Sequence, residues 1–234
     1  ELIELVKSDA EQGLLENTIY RHNGGYKISR RRKLQANIKT VPSYELQAGK
    51  TNIHVIVESL GCPWGKCSFC THSCTYGSYS IRRPASVADE FEQMVGRGIG
   101  IFRYAGSSTT LTHAHKIAQE LIKRNLKVVY SMFGRAERNA SEPEKYKEVV
   151  ESYRLLIRSG FRAIFLGAES GVDEINTLVM NKGASRMALT VREASQLEGI
   201  PIDIGISLIY PAPTMDIVSL EQLKQADISL VEEC

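Results

Sequence analysis

Four of the five cysteines lie within thirteen positions, in ESLGCPWGKCSFCTHSC (58–74), at the spacing Cys62-x4-Cys67-x2-Cys70-x3-Cys74. Thiols this crowded can form disulfides, close around a zinc ion, or hold an iron–sulfur cluster. A disulfide framework distributes its cysteines along a small secreted chain. Here the remaining cysteine is the distant Cys234, which argues against that use. Zinc asks for four ligands in a closed tetrahedron, commonly from two separated knuckles. Cys62, Cys67, Cys70 and Cys74 could supply it, with His72 as a further donor. An iron–sulfur cluster can take three thiolates and leave one iron open, which suits catalysis rather than electron storage.

The flanking sequence decides where such a loop would sit. From residue 51 onward short apolar runs alternate with amphipathic ones. Strands are expected over 52–58, 99–106, 126–133, 161–167 and 200–210. Helical spacing falls over 86–98, 113–125, 142–160, 172–180, 186–199 and 215–228, with Pro143 near the start and Gly160 at the end of the third. Strands that alternate with helices predict a parallel α/β sheet, doubly wound or barrel-like. In both, functional loops gather at the carboxyl ends of the strands. The cysteine loop directly follows the first strand of this series and so belongs to that end.

Residues 1–50 differ in character. Asn23-Gly24-Gly25 between 18–21 and 26–29 predicts a hairpin, and Arg30, Arg31, Arg32 and Lys33 make a basic run that suits a solvated linker better than a phosphate site. The 234 residues carry 29 Lys plus Arg against 27 Asp plus Glu, a formal charge of +2, so composition makes no general case for nucleic acid. No apolar run reaches the roughly 18 residues of a membrane span, and a cytoplasmic protein is expected. A start at Glu1 within a helical pattern, and a stop at Cys234 after another, suggest a piece of a longer protein.

GCPWGKCSFC (61–70) resembles the cluster loop of radical S-adenosylmethionine (radical SAM) enzymes, which ends in Cys-x-aromatic-Cys as Cys67-Ser68-Phe69-Cys70 does. Gly61-Cys62-Pro63 resembles the opening found in the branch that carries a cobalamin-binding domain. The usual first gap in the family is three residues, whereas this chain has four, with Gly65 placed to absorb the extra one. FRAIFLGAESGVDEINTLVMNKG (161–183) and GIPIDIGISLIYPAP (199–213) resemble later segments of the same family, and the likeness runs over about residues 50–215.

The resemblance implies a parallel (β/α) partial TIM-type barrel over 51–234, shortened at its last strand, with 1–50 as the tail and linker of a cobalamin-binding domain. It implies a [4Fe–4S] cluster on Cys62, Cys67 and Cys70, with Cys74 a spectator, and S-adenosylmethionine on the open iron. Phe69 would pack beside adenine, the backbone at Gly106 and Ser107 would meet the methionine amino group, and Arg135 would pair with its carboxylate. Glu169 would accept from the ribose, with Ser170 and Ser207 nearby. The implied partners are a flavodoxin- or ferredoxin-type electron donor and an unidentified substrate. The implied reaction is radical chemistry, with C-methylation as one outcome and methylthio transfer to RNA as an alternative. The rival from another class is a zinc-stabilised binding module.

Overall fold

The computed structural model describes residues 19–29, 53–75, 78–135, 143–181, 188–212 and 216–233. The basic run 30–33 and Cys234 lie outside them. The expected hairpin is present as β1 (Ile19–His22) and β2 (Gly25–Ile28), paired antiparallel across a two-residue Asn23-Gly24 turn.

The main body is a sheet of five strands, β3 (Ile53–Ile56), β6 (Ile101–Tyr104), β7 (Val129–Gly134), β8 (Phe161–Glu169) and β9 (Asp203–Leu208). They are all parallel and lie in the order β3-β6-β7-β8-β9. A doubly wound sheet must reverse its strand order somewhere. This one never does, so the barrel-type alternative holds, as an open part-barrel whose edges among the described residues are β3 and β9.

After each strand comes a helix: α2 (Pro84–Val95), α3 (Leu111–Lys123), α4 (Pro143–Arg158), α5 (Ala188–Glu198) and α6 (Leu220–Glu233). The first four pack side by side in chain order, as same-handed crossovers between sequential strands require. Pro84 suits the first turn of α2, where its missing N–H is an orphan in any case. Thr110 caps α3 by accepting the His113 amide.

The core lies between these helices and one face of the sheet. Strand residues alternate accordingly, so that His54, Ile56, Phe102, Tyr104, Tyr130 and Met132 are buried. Ile53, Val55, Ile101 and Phe165 project from the opposite, concave face and are exposed. Phe91 of α2 joins the layers, with its ring 4.3 Å from that of Phe102 and edge-on to Tyr104 and Tyr130.

Two short strands depart from the sequence expectation. Instead of one run through residue 58, β3 ends at Ile56 and β4 (Ser59–Leu60) pairs antiparallel with β5 (Ser80–Ile81), closing the cysteine loop at its base. Beneath this base lies a buried ionic network. Arg82 donates to Glu90 Oε2 at 2.5 Å, to the Val57 carbonyl and to the Ser86 carbonyl, while His54 Nε2 lies 2.9 Å from Glu90 Oε1. Arg82 and Glu90 are almost wholly buried. Breaking such a pair from one side leaves an uncompensated charge in the interior. Glu90→Gln, which keeps volume and removes charge, is expected to destabilise the fold by about 3–5 kcal/mol, read as a lower urea midpoint at unchanged m-value; a shift worth under about 1 kcal/mol would show the network to be dispensable.

Candidate active site

The cysteine loop leaves the sheet at the carboxyl end of β3. Cys62, Cys67 and Cys70 are part-buried and in no disulfide. Gly65 takes a left-handed φ of 56°, so the extra residue of the first gap is turned at glycine as expected. The Cys70 amide donates to the Cys67 carbonyl at 3.2 Å, which folds the Cys-x2-Cys segment into a turn. The loop ends in a short helix α1 (His72–Thr75), which contains Cys74.

The far side of the loop is seated on the segment after β8. The sequence reading expects an ordinary helix there, whereas the turn is a π-helix over Ile175–Val179. A helix end leaves its last carbonyls without internal partners, and the cysteine loop supplies them. Ser68 donates its amide to the Met180 carbonyl at 3.1 Å and its hydroxyl to the Val179 carbonyl at 2.7 Å. Trp64 Nε1 donates to the Asn181 carbonyl at 2.8 Å, and Asn181 Nδ2 returns a bond to the Lys66 carbonyl at 3.0 Å. Arg135, at the end of β7, lies over the Trp64 ring at 4.3 Å.

These elements enclose a cavity of about 240 Å3 at the carboxyl ends of the strands. Cys62, Cys67 and Cys70 all line it, together with Phe69, Ser107, Arg135, Glu169 and Ser207. Residues from the loops after three strands, the last residue of β8 and one from within β9 therefore meet in one space. Phe69 is 46% exposed, free to present its ring to a ligand. Glu169 is buried and adopts φ 64°, where β8 and β9 shift register and its carbonyl accepts from the Ile209 amide. A left-handed backbone at a side chain of this kind costs about 1–2 kcal/mol, a strain that concentrates at functional sites.

Two expected residues stand behind the cavity wall. Gly106 is buried, with its amide donating to Glu58 Oε2 at 3.0 Å. Ser170 is buried too, its hydroxyl accepting from the Val172 amide at 3.1 Å and facing Asp227 Oδ1 at 3.4 Å, so it fixes the turn from β8 into the π-helix.

Three contributors escaped the sequence reading. His72 lines the cavity with Nδ1 3.3 Å from Ser107 Oγ, and had been considered only as a zinc donor. Trp64 bridges Asn181 and Arg135. Glu58 is fully buried below Gly106. A carboxylate at the end of an apolar strand was a usable signal for Glu58; the long-range partners of Trp64 left none. Burial above all, then the neighbouring Tyr130 and the Glu58 carboxylate, push the Tyr104 phenol well above its ordinary pKa, so it stays neutral beneath the site.

The thiols fit a multi-iron cluster. They are in no disulfide, part-exposed and open to one shared cavity.

No protein-family model matches the chain. It is 32% identical over 158 residues to the anaerobic magnesium-protoporphyrin IX monomethyl ester cyclase of Cereibacter sphaeroides, covering 62% of this chain and 24% of that protein. Its backbone is similar to that of OxsB, a cobalamin-dependent S-adenosylmethionine radical enzyme solved with aqua-cobalamin. The TM-score is 0.69 at 19% identity, over 99% of this chain and 34% of that one. It is also similar to the radical S-adenosylmethionine methyltransferase TsrM from Kitasatospora setae, solved with cobalamin and a [4Fe-4S] cluster, at TM-score 0.56 and 17% identity over 76% and 35% of the two chains. These likenesses show that the chain shares its fold with OxsB and TsrM. The chain spans about a quarter to a third of the length of these proteins. No helix among the described residues is long and apolar enough to cross a membrane.

In this fold the docking of the cysteine loop on the π-helix end is the contact that holds its cysteines in place. Trp64→Ala removes the Asn181 bond and the seat of Arg135. The Ser68 amide should then lose about fivefold in hydrogen-exchange protection, the equivalent of about 1 kcal/mol for one hydrogen bond. Unchanged protection would mean that the loop is held elsewhere.

Proposed function

We propose that this chain is the core of a radical SAM enzyme, with a [4Fe–4S] cluster on Cys62, Cys67 and Cys70 and S-adenosylmethionine in the cavity they line. The observation that carries this reading is the convergence of three cysteine thiols with Arg135 and Glu169 on one cavity at the carboxyl ends of a sequential parallel sheet. When bound, the cluster and S-adenosylmethionine supply one-electron cleavage of a sulfonium C–S bond and so a source of a carbon radical.

The residues of the chain bind, orient and exclude water. Arg135 presents a guanidinium to the ligand carboxylate, in the planar fork such pairs favour, and its stack on Trp64 holds the plane in place. Glu169 accepts from the ribose hydroxyls, and Ser170 steadies the backbone that carries it. Phe69 covers the adenine, Ser207 offers a hydroxyl from β9, and the backbone at Gly106 and Ser107 meets the amino group. Cys74 takes no part.

The likeness to OxsB and TsrM supports a cobalamin-assisted reaction, with residues 1–50 leading from a cobalamin-binding domain. Methyl transfer to an unactivated carbon is the reaction we favour, because TsrM is a methyltransferase. The electron comes from a flavodoxin- or ferredoxin-type donor, and the setting is the cytoplasm. The substrate is a small organic molecule that enters from the concave side of the sheet, where Phe133 and Phe165 stand 5.6 Å apart beside the cavity.

Anaerobic reconstitution tests the reading directly. The wild type should be brown with about four irons and four sulfides per chain, lost on Cys62→Ala, Cys67→Ala or Cys70→Ala and kept on Cys74→Ala. A colourless protein holding one zinc, released by all four substitutions, would leave a binding module instead.

A further inference from the structure

Glu58 is an expensive residue to place where it is. Its side chain is fully buried, and among the described residues no Lys or Arg pairs with it. Removing a carboxylate from water costs several kcal/mol unless donors replace the solvent. Three neutral donors do so. The Gly106 amide reaches Oε2 at 3.0 Å, and the Thr109 and Ser59 hydroxyls reach Oε1 at 2.7 and 2.9 Å. Two of the three belong to the loop after β6, and the third to the base of the cysteine loop.

Glycine at 106 is the complement of this carboxylate. A Cβ there would stand 2.0 Å from Glu58 Oε1 and 2.2 Å from Ser59 Oγ, so the carboxylate occupies the space that any side chain would need. The peptide joining Ala105 to Gly106 is trans. In a planar trans peptide the carbonyl points opposite to the amide hydrogen. Because Glu58 draws the Gly106 N–H inward, the Ala105 carbonyl must point away from the buried carboxylate. The preceding amide, Ala105, is also taken internally, by the Ile56 carbonyl at 2.8 Å. At Ala105 and Gly106 the amides are thus turned in, and the Ala105 carbonyl away from the buried carboxylate, which suits a cationic ligand group. Ser107 follows at once, on the cavity and 3.3 Å from His72 at the far end of the cysteine loop.

We propose that Glu58 is a positioning residue that fixes the Ala105 carbonyl as the acceptor for the α-ammonium group of the bound sulfonium amino acid, and so couples the β6 loop to the cysteine loop. This inference rests on the reading above. It assigns to Glu58 an effect on the ligand that is separate from holding the cluster.

The test uses the full chain, reconstituted anaerobically, as wild type, Glu58→Asp, Glu58→Gln and Gly106→Ala. Iron and sulfide content, melting temperature, the S-adenosylmethionine dissociation constant by equilibrium dialysis, and the electron paramagnetic resonance spectrum of the reduced cluster with and without S-adenosylmethionine are measured on each. Glu58→Asp withdraws the carboxylate by one methylene, and Gly106→Ala expels the loop from it. Both should keep their iron yet bind S-adenosylmethionine roughly 10–100-fold more weakly, the range typical of supporting residues behind a metal site. Both should also lose the ligand-induced change in the cluster spectrum. Glu58→Gln preserves length and one acceptor oxygen and should stay within a few-fold of wild type. Wild-type affinity and spectra in Glu58→Asp would overturn the inference while leaving the radical SAM reading intact. Loss of iron in step with affinity would also overturn it, by reducing Glu58 to a structural part. A wild type that takes up no iron would sink the reading and the inference together.

Discussion

Everything at the site depends on burying charge beneath the cysteine loop without losing its hydrogen bonds. Glu58 and the Arg82–Glu90–His54 group lie at the two roots of the loop. They touch, because the Arg82 amide donates to the Glu58 carbonyl at 2.9 Å and the Arg82 guanidinium to the Val57 carbonyl. An apolar packing of the same volume would be as stable or more so. It would not define direction. Hydrogen-bonded charges tolerate one geometry, so the Arg82–Glu90–His54 group fixes where the cysteine loop meets the sheet, and the Glu58 carboxylate fixes the β6 loop beside it.

The sheet order converts that frame into a site. With strands in sequential order and helices on one face, every strand releases its loop at the same end, and neighbouring loops are about one strand spacing, roughly 4.7–4.9 Å, apart. The β3 loop contributes thiols, the β6 loop hydroxyl and backbone groups, the β7 end a guanidinium and the β8 end a carboxylate. No loop supplies all of these groups. Complementary groups meet only because the fold ranks them side by side, which is also why single substitutions in the core layer can reach the cavity through strand position.

Legibility in the sequence followed the range of the interactions. The five strands and the helices α2 to α5 announce themselves through local apolar period and through Pro84, Pro143 and Gly160, and they stand within a few residues of where that period puts them. The cysteines and Gly65 are local too. What the sequence withheld is what tertiary contact creates. The π-turn at Ile175–Val179 has an ordinary helical pattern, and its geometry answers to Asn176 Nδ2 donating to the Ser170 carbonyl and to the incoming Ser68. The split of the first strand into β3 and β4 reflects pairing with a segment twenty residues later. Glu58 looks polar and ordinary in one dimension, and only its partners at 59, 106 and 109 make it part of the site.

The four-residue gap between Cys62 and Cys67 shows how an apparent irregularity becomes a contact. The added length would by itself loosen the loop, since each extra residue adds conformational freedom. Here it carries Trp64, whose indole donates to Asn181 on one side while its face receives Arg135 on the other. A rigid two-torsion side chain is an economical anchor, because little rotamer freedom is lost when it docks. Gly65 then reverses the chain at φ 56° and returns it to Cys67. Trp64 therefore binds the cysteine loop to the β7 and β8 loops at once, and the guanidinium on the cavity stacks on the same ring. Loop length and ligand recognition are in this way one structural feature.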